Sequence, residues 1–255
     1  MILVPMTVEA LIVNRFGNSR EYADIAVNYE LLNGVSLLGG VIEPQPFKKR
    51  AAPGAGVHLH FILPDGLTQG METENGFDYP AVPDRYLVTR LTIVKSTPDK
   101  PVITHKSWIL ESSYVGRDNV GSISIPEFSD KENLCRYLGR TYPYENTAPP
   151  GEYLSKLTVL GAGTPYFAAC YQTCRSVFGF HDDLKDVKEG ELIYTVAGWY
   201  ADRKNSPLYG LTGTEYEEKL REMGFFLGGG WREENDSDLL LHGAVFHVTW
   251  EGEDD

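Results

Sequence analysis

The stretch that most constrains the fold is Asp84–Ser112. It reads DRYLVTRLTIV, then a turn at Pro98-Asp99-Lys100-Pro101, then VITHKSWILES. Both arms are rich in Val, Ile, Thr and aromatic residues, and the turn residues sit between them. This dictates an antiparallel hairpin. A lone hairpin is at best marginally stable, so further strands must complete its sheet. The sequence offers Met1–Asn14, Val57–Leu63, Glu191–Tyr200 and Leu239–Trp250. The last reads as a strand pair or as one strand bulged at Gly243.

Helical signals are fewer. Ser129–Leu138 carries a Ser129/Glu132 capping box and a Gly139 stop. Thr164–Val177 opens with a capping Thr and Pro165 in the first helical position. Leu211–Gly224 has Thr212 or Thr214 as its cap, acidic residues in its first turn and Lys219 and Arg221 near its end. Tyr153–Leu160 reads as a short strand or helix. Strands do not alternate regularly with helices, so the sheets should be mainly antiparallel. The expected class is β-rich α+β, sandwich or barrel-like, with two or three short helices. The chain 1–255 reads as one domain. Its loop-rich middle leaves room for two packed lobes, 1–126 and 127–255. Pro44, Pro46 and Pro53 mark an extended connector.

Composition narrows the partners. Hydrophobic residues make up 42% and charged residues 23% of 255, as in a soluble globular protein. No apolar run approaches the ~20 residues of a membrane helix, so no membrane span is expected. The start lacks a basic segment and holds Glu9, so it reads as a strand rather than a signal peptide. That points to the cytoplasm, with export as part of an assembly left open. Net charge is −13, and residues 211–255 hold 12 acidic and 3 basic residues, a net of −9. Such a balance argues against nucleic-acid binding, which needs Lys and Arg along the backbone. Lys48-Lys49-Arg50 is the only basic run and reads as a solvated loop. Cys135, Cys170 and Cys174 are too few and odd in number for a disulfide framework. Cys170 and Cys174 would share a helix face as buried free thiols.

Histidines carry the sharpest chemical signal. His58 and His60 are two apart on an expected strand, so both point to one face. Cupin barrels present two imidazoles this way, but they follow with a Glu where this chain has Pro64 and Asp65. A divalent metal would need a third ligand from Asp65, His105, His181, Asp182, His242 or His247. No other cofactor is expected. The structural alternative has Leu59 and Phe61 filling the core while the histidines bond to backbone or carboxylates. Phe180-His181-Asp182-Asp183 has the ingredients of a His–carboxylate base, although adjacent residues rarely face each other and Asp-Asp at a helix end usually serves capping. Tyr137, Tyr142, Tyr144 and Tyr153 gather in the loop-rich middle. They suit protein or carbohydrate contacts, or cover for the core. Asp65, Asp84 and Arg85 are placed to tie down the turns around Pro64 and Pro83. The chain lacks a Gly-x-Ser-x-Gly elbow, a His-Glu-x-x-His helix and a phosphate-binding loop.

The pieces VHLHFILPDGLTQG, YPAVPDRYLVTRL, SVFGFHDDL, VAGWYAD and LHGAVFHVTW resemble the N-terminal region of large bacterial proteins without an established activity. Their first motif reads Val-His-Leu-His-Trp-x-Leu-Pro-Asp-x-Leu, and Phe61 stands here in place of the Trp. The resemblance spans most of the chain. It implies the leading domain of a longer protein and carries over no catalytic residues. The expectation is therefore a non-enzymatic structural or protein-interaction module. Its partner would be another protein or the remainder of a longer chain, in an assembly of phage-tail-like kind. A metal-dependent enzyme using His58 and His60, and a carbohydrate-binding module, are the alternatives.

Overall fold

The structure is a computed structural model that describes residues 2–22, 47, 54–74, 76–95, 100–116, 138–160, 167–225 and 238–251. The expected hairpin forms its centre. β7 (Arg85–Lys95) pairs antiparallel with β8 (Pro101–Val115) from Arg85↔Glu111 to Lys95↔Pro101. β12 (Gly190–Trp199) pairs with the other side of β7, and β13 (Leu239–Trp250) with β12. β1 (Ile2–Pro5) adds parallel to β13. β9 (Leu138–Pro143) and β10 (Glu152–Tyr153) close the far side on β8. Seven strands thus form one sheet. A second, four-stranded sheet runs β11 (Gly179–Asp182), β4 (Gly56–Ile62), β2 (Thr7–Val13), β3 (Ser19–Tyr22). A short hairpin, β5 (Met71–Thr73) with β6 (Gly76–Asp78), stands apart with its side chains exposed.

The two sheets pack face to face. Val8, Ala10, Ile12, Val57, Leu59, Phe61 and Phe180 from the small sheet share one core with Tyr86, Val88, Trp108, Leu110, Tyr194 and Leu241 from the large one. Ring centroids meet across the interface at 5.3 Å for Phe61 and Tyr86, and 4.8 Å for Trp108 and Phe180. Period-two alternation explains this. Every second residue of β2 and β4 is apolar and turned inward. The expected class, β-rich α+β with mainly antiparallel sheets, is what the structure shows, and the sheets do not close into a barrel. Both sheets draw strands from before and after residue 126.

Three local expectations change. The final segment is one strand, and its irregularity is not at Gly243. The register slips between Leu192 and Tyr194, opposite Phe246 and His247, and His247 takes φ +58°. Gly243 serves a close approach instead. A Cβ there would stand 2.5 Å from the Met6 carbonyl oxygen, where the chain leaves one sheet for the other. Of the helix expected over Thr164–Val177, the described residues 167–177 hold a single turn, α1 (Tyr171–Cys174), while Thr164 and Pro165 lie outside the described residues. Arg175 is extended and Ser176 has φ +69°, and this reversal lets Phe178 and Phe180 both reach the core. Glu152–Tyr153 is a strand, and residues 155–160 are bends and turns. The Leu211–Gly224 helix stands as α2 (Gly213–Glu222). Thr212 is at its N-cap and Gly224 follows at φ +72°. Most of the Ser129–Leu138 helix and the Pro44–Pro53 connector lie outside the described residues, as do Cys135 and Tyr137. Cys174 is buried and Cys170 half-buried, both as free thiols.

Candidate functional sites on the two outer faces

The small sheet's outer face holds the predicted histidines. β4 turns Val57, Leu59 and Phe61 inward, so His58 and His60 face outward with Glu9 and Leu11 of β2 and His181 of β11. This face is nonetheless covered. His58 is 0%, His60 2% and Glu9 4% exposed, and Phe47 and Tyr171 pack with Leu11 and Val13 above the sheet.

Buried imidazoles need partners, and most find them. His58 Nε2 donates to the Gly54 carbonyl at 2.8 Å, so its Nδ1 accepts from the Tyr171 hydroxyl at 2.7 Å. His181 Nε2 donates to the Ala55 carbonyl at 3.0 Å. His60 Nε2 donates to the Ala168 carbonyl at 2.7 Å. The His58 and His181 rings stack at 4.2 Å. Burial pushes the His58 pKa down, and the neighbouring His181 adds to it, to about 4. Burial lowers His181 as well. Both rings are therefore neutral at pH 7. They act as staples that hold residues 54–55 and the 168–171 turn against the sheet.

Among the described residues, one atom of this face is unsatisfied. His60 Nδ1 is buried without a hydrogen-bond partner and lies 3.8 Å from the Glu9 carboxylate. A lone pair faces a carboxylate across that gap, which suits a shared proton or an intervening cation. His58 and His60 thus lie side by side, but both His58 nitrogens are engaged. Of the proposed third ligands, His181 stacks on His58. Asp65 is exposed beyond the end of β4, and His105, His242 and His247 are exposed on the other sheet. Asp182 points to the opposite face, where it accepts from Arg90 at 2.7 Å and Tyr194 at 2.9 Å. The His181–Asp182 pair is divided between the two faces, as alternation requires. Among the described residues no group of three or more His, Cys, Asp or Glu has metal-holding geometry.

Arg90 anchors a buried charge network between the sheets. It also donates to Asp186 at 2.7 Å. Desolvation opposes its charge, but the bonds to Asp186 and the field of Asp182 prevail and raise its pKa.

The large sheet's outer face is of another kind. Strand register places Leu87, Thr89, Leu91 and Ile93 of β7 beside Ile193, Thr195 and Ala197 of β12 and beside Ile103, His105, Ser107 and Ile109 of β8. Tyr142 pairs next to Ile109, and Ala244 next to Thr195. Their inward neighbours fill the core, yet Leu87, Leu91, Ile93, Ile109, Ile193 and Ala197 are only half-buried. Ile103 is 61% and Phe246 55% exposed.

A tyrosine–arginine cluster borders this face. Glu111 accepts from Arg140 Nε, from the Tyr153 hydroxyl at 3.0 Å and from the Tyr142 hydroxyl at 3.3 Å. Arg140 lies 4.0 Å from the Tyr114 ring centroid and Arg85 4.6 Å from that of Tyr153. Asp84 joins the cluster by accepting from Arg85 and Ser113, and it receives the Ala201 amide at 2.8 Å. The expected tie of Asp84 and Arg85 is present. At the Pro64 turn the bonds run from Thr68 to the Asp65 backbone carbonyl. Of the predicted tyrosines, Tyr142 and Tyr153 meet here with their hydroxyls turned onto Glu111, while Tyr144 is 61% exposed.

Glu9, Tyr171, Glu111, Arg140 and the aliphatic face escaped the sequence reading. Glu9 had a signal, a lone charge within MTVEALIV. So did the aliphatic face: β7 and β12 are apolar on both alternating sets, the mark of a strand with two faces to cover. Tyr171 and Arg140 have none, because their partners are distant in sequence. No helix among the described residues is long and apolar enough to cross a membrane. Set against known protein families, curated proteins and solved structures, the chain has no significant match.

Proposed function

We propose that the chain is a non-enzymatic structural or protein-interaction module of a larger bacterial assembly, and that it docks through the outer face of its large sheet. One observation carries this reading: a five-strand face keeps Leu87, Leu91, Ile93, Ile109 and Ile193 half-buried and Ile103 and Phe246 exposed. Monomers seldom leave contiguous apolar patches of more than a few hundred Å² in water. The resemblance to leading domains of large bacterial proteins agrees with a docking role. The test is the native size of the tagged chain in extracts of its own cells. Wild type should run well above its 28.5 kDa mass, and Ile109→Lys/Ile193→Lys should run as the free chain. Wild type running as the free chain would end the proposal.

A second reading, a metal-dependent enzyme, has the unpartnered His60 Nδ1 in its favour. It stands 3.8 Å from the Glu9 carboxylate, wider than the ~3.4 Å between two ligands of a tetrahedral zinc, so an ion there would draw the two groups together. Elemental analysis of purified wild type and His60→Ala decides it. Stoichiometric zinc or iron in the first and none in the second would support it, and a metal-free wild type would remove it.

A further inference from the structure

We propose that the cleft between α2 and the 65–70 turn binds a small organic anion. Its head would be a phosphate monoester or a carboxylate, on a carbon skeleton of roughly monosaccharide size. The cleft shares no lining residue with the large sheet's outer face, so it stands or falls apart from the docking reading. Three features select the ligand.

The first is a preformed shape. Five segments of the chain meet around a cleft of about 460 Å³, within the range of small-molecule sites. Gly66 abuts the last turn of α2, where a Cβ would stand 2.1 Å from the Met223 carbonyl oxygen. Asn205 Nδ2 donates to the Ser155 carbonyl at 3.1 Å and holds the 203–207 turn beside Lys156. Asp202 caps that turn by accepting from the Lys204 amide at 3.0 Å. Lys156 Nζ meets Asp78 at 2.9 Å and ties the β5–β6 hairpin to the segment after β10. The backbone that carries the polar groups is thus held before a ligand arrives, which lowers the ordering cost of binding.

The second is charge. Lys156, Lys204 and Lys219 line the cleft with Asp78 and Glu222, three cations against two carboxylates, in a chain of net charge −13. Glu215, one turn before Lys219 on α2, and Asp65, which lines the adjoining groove along β1, lie outside this lining. Carboxylates farther away are screened, since the Debye length is about 8 Å at physiological ionic strength. Lys156 pairs with Asp78 and Lys219 with Glu222. Lys204 has no ion pair among the described residues.

The third is the kind of hydrogen bond left open. An ammonium has three donors and no acceptor. Lys156 uses one donor on Asp78, Lys219 bonds both oxygens of Glu222, and Lys204 uses none. Donors remain open while both carboxylates are engaged. A metal cation would meet three ammonium groups here. A ligand that completes the cleft must bring negative charge and several oxygens, as phosphate and carboxylate do. Pro80, Ala81, Pro207 and Met223 supply apolar contact for its skeleton.

Calorimetric titration of the purified chain in phosphate-free buffer tests the site, with glucose 6-phosphate, gluconate and uncharged glucose as probes. Wild type should bind at least one of the two anions at millimolar concentration and bind glucose more weakly. Glucose 6-phosphate alone would assign a phosphate head, and gluconate alone a carboxylate head. Removing one charged hydrogen bond costs about tenfold in affinity, so Lys204→Gln should weaken binding by that factor with an unchanged circular dichroism spectrum. Lys188→Gln makes the same charge change at an exposed position outside the cleft and should leave the affinity as it is. Absence of binding by both anions would overturn the proposal, as would glucose binding as tightly as they do. An affinity unchanged in Lys204→Gln, or weakened equally in Lys188→Gln, would overturn it too.

Discussion

The two outer faces of this sandwich reverse the usual assignment of side chains. The small sheet's outer face is polar, with Glu9, His58, His60 and His181, yet Glu9, His58 and His60 are buried beneath Tyr171 and Phe47 and His181 is half-buried. The large sheet's outer face is aliphatic, yet half-open. A buried polar group is stable only when bonded, and His58 and His181 are bonded to backbone or to a phenol. An open apolar face gains free energy only when something covers it. The difference separates the residues that maintain the molecule from those free to serve a partner. By this contrast the histidines, which look functional in the sequence, hold a cover in place. The aliphatics, which look like ordinary core, are the surface that the proposed docking would use.

The contrast breaks most readily at His58. His58→Ala removes a buried ring and leaves the Gly54 carbonyl and the Tyr171 hydroxyl without their partner. We expect a loss of about 4 kcal/mol, from the cavity and the orphaned groups together. Urea unfolding followed by circular dichroism measures it. A loss below about 1 kcal/mol would mean that this face is not a load on stability and would reopen a role for His58 in binding.

Acid is the next largest effect. The His58 pKa is lowered from 6.5 in the unfolded chain to about 4 in the fold, and His181 moves the same way. A depressed histidine is held neutral by the fold. Its contribution is therefore complete above pH 6.5 and is lost as pH falls towards 4, where the unfolded chain binds the extra proton. For His58 the loss is about 3 kcal/mol by pH 4. Urea midpoints between pH 7 and 4 should fall accordingly, and the fall should flatten in His58→Ala. An equal slope in both proteins would contradict the assignment.

The smallest effect is expected on the other face. Ile109→Lys and Ile193→Lys each place an ammonium where water or a partner already reaches. Each should change the stability of the separated chain by about 0.5 kcal/mol or less. A loss of several kcal/mol would show that the face is core and not a docking surface.

The architecture was legible because it rests on local alternation. The Asp84–Ser112 hairpin, the Val57–Leu63 strand and the Leu211–Gly224 helix each announce themselves within a dozen or two residues. Between Phe167 and Val177 the helical pattern yields to the demand that Phe178 and Phe180 enter the core. Gly243 reads as a bulge because sequence does not reveal that β1 and β2 turn a corner beside it. The sites were legible only in part. His58 and His60 share a face, as their spacing says, but whether that face is covered depends on Tyr171, more than 100 residues away. The aliphatic outer face shows in the sequence as doubly apolar strands, but alternation does not tell one covering layer from another.

Side-chain footprinting with a photoactivated carbene tests the central claim most directly, because one labelling experiment reads both faces. The chain is compared in its native assembly and alone at high dilution. The account predicts that Leu87, Leu91 and Ile109 are labelled in the dilute chain and protected in the assembly, while His58 and Tyr171 are protected in both. Equal labelling of Leu87, Leu91 and Ile109 in the two samples would contradict it.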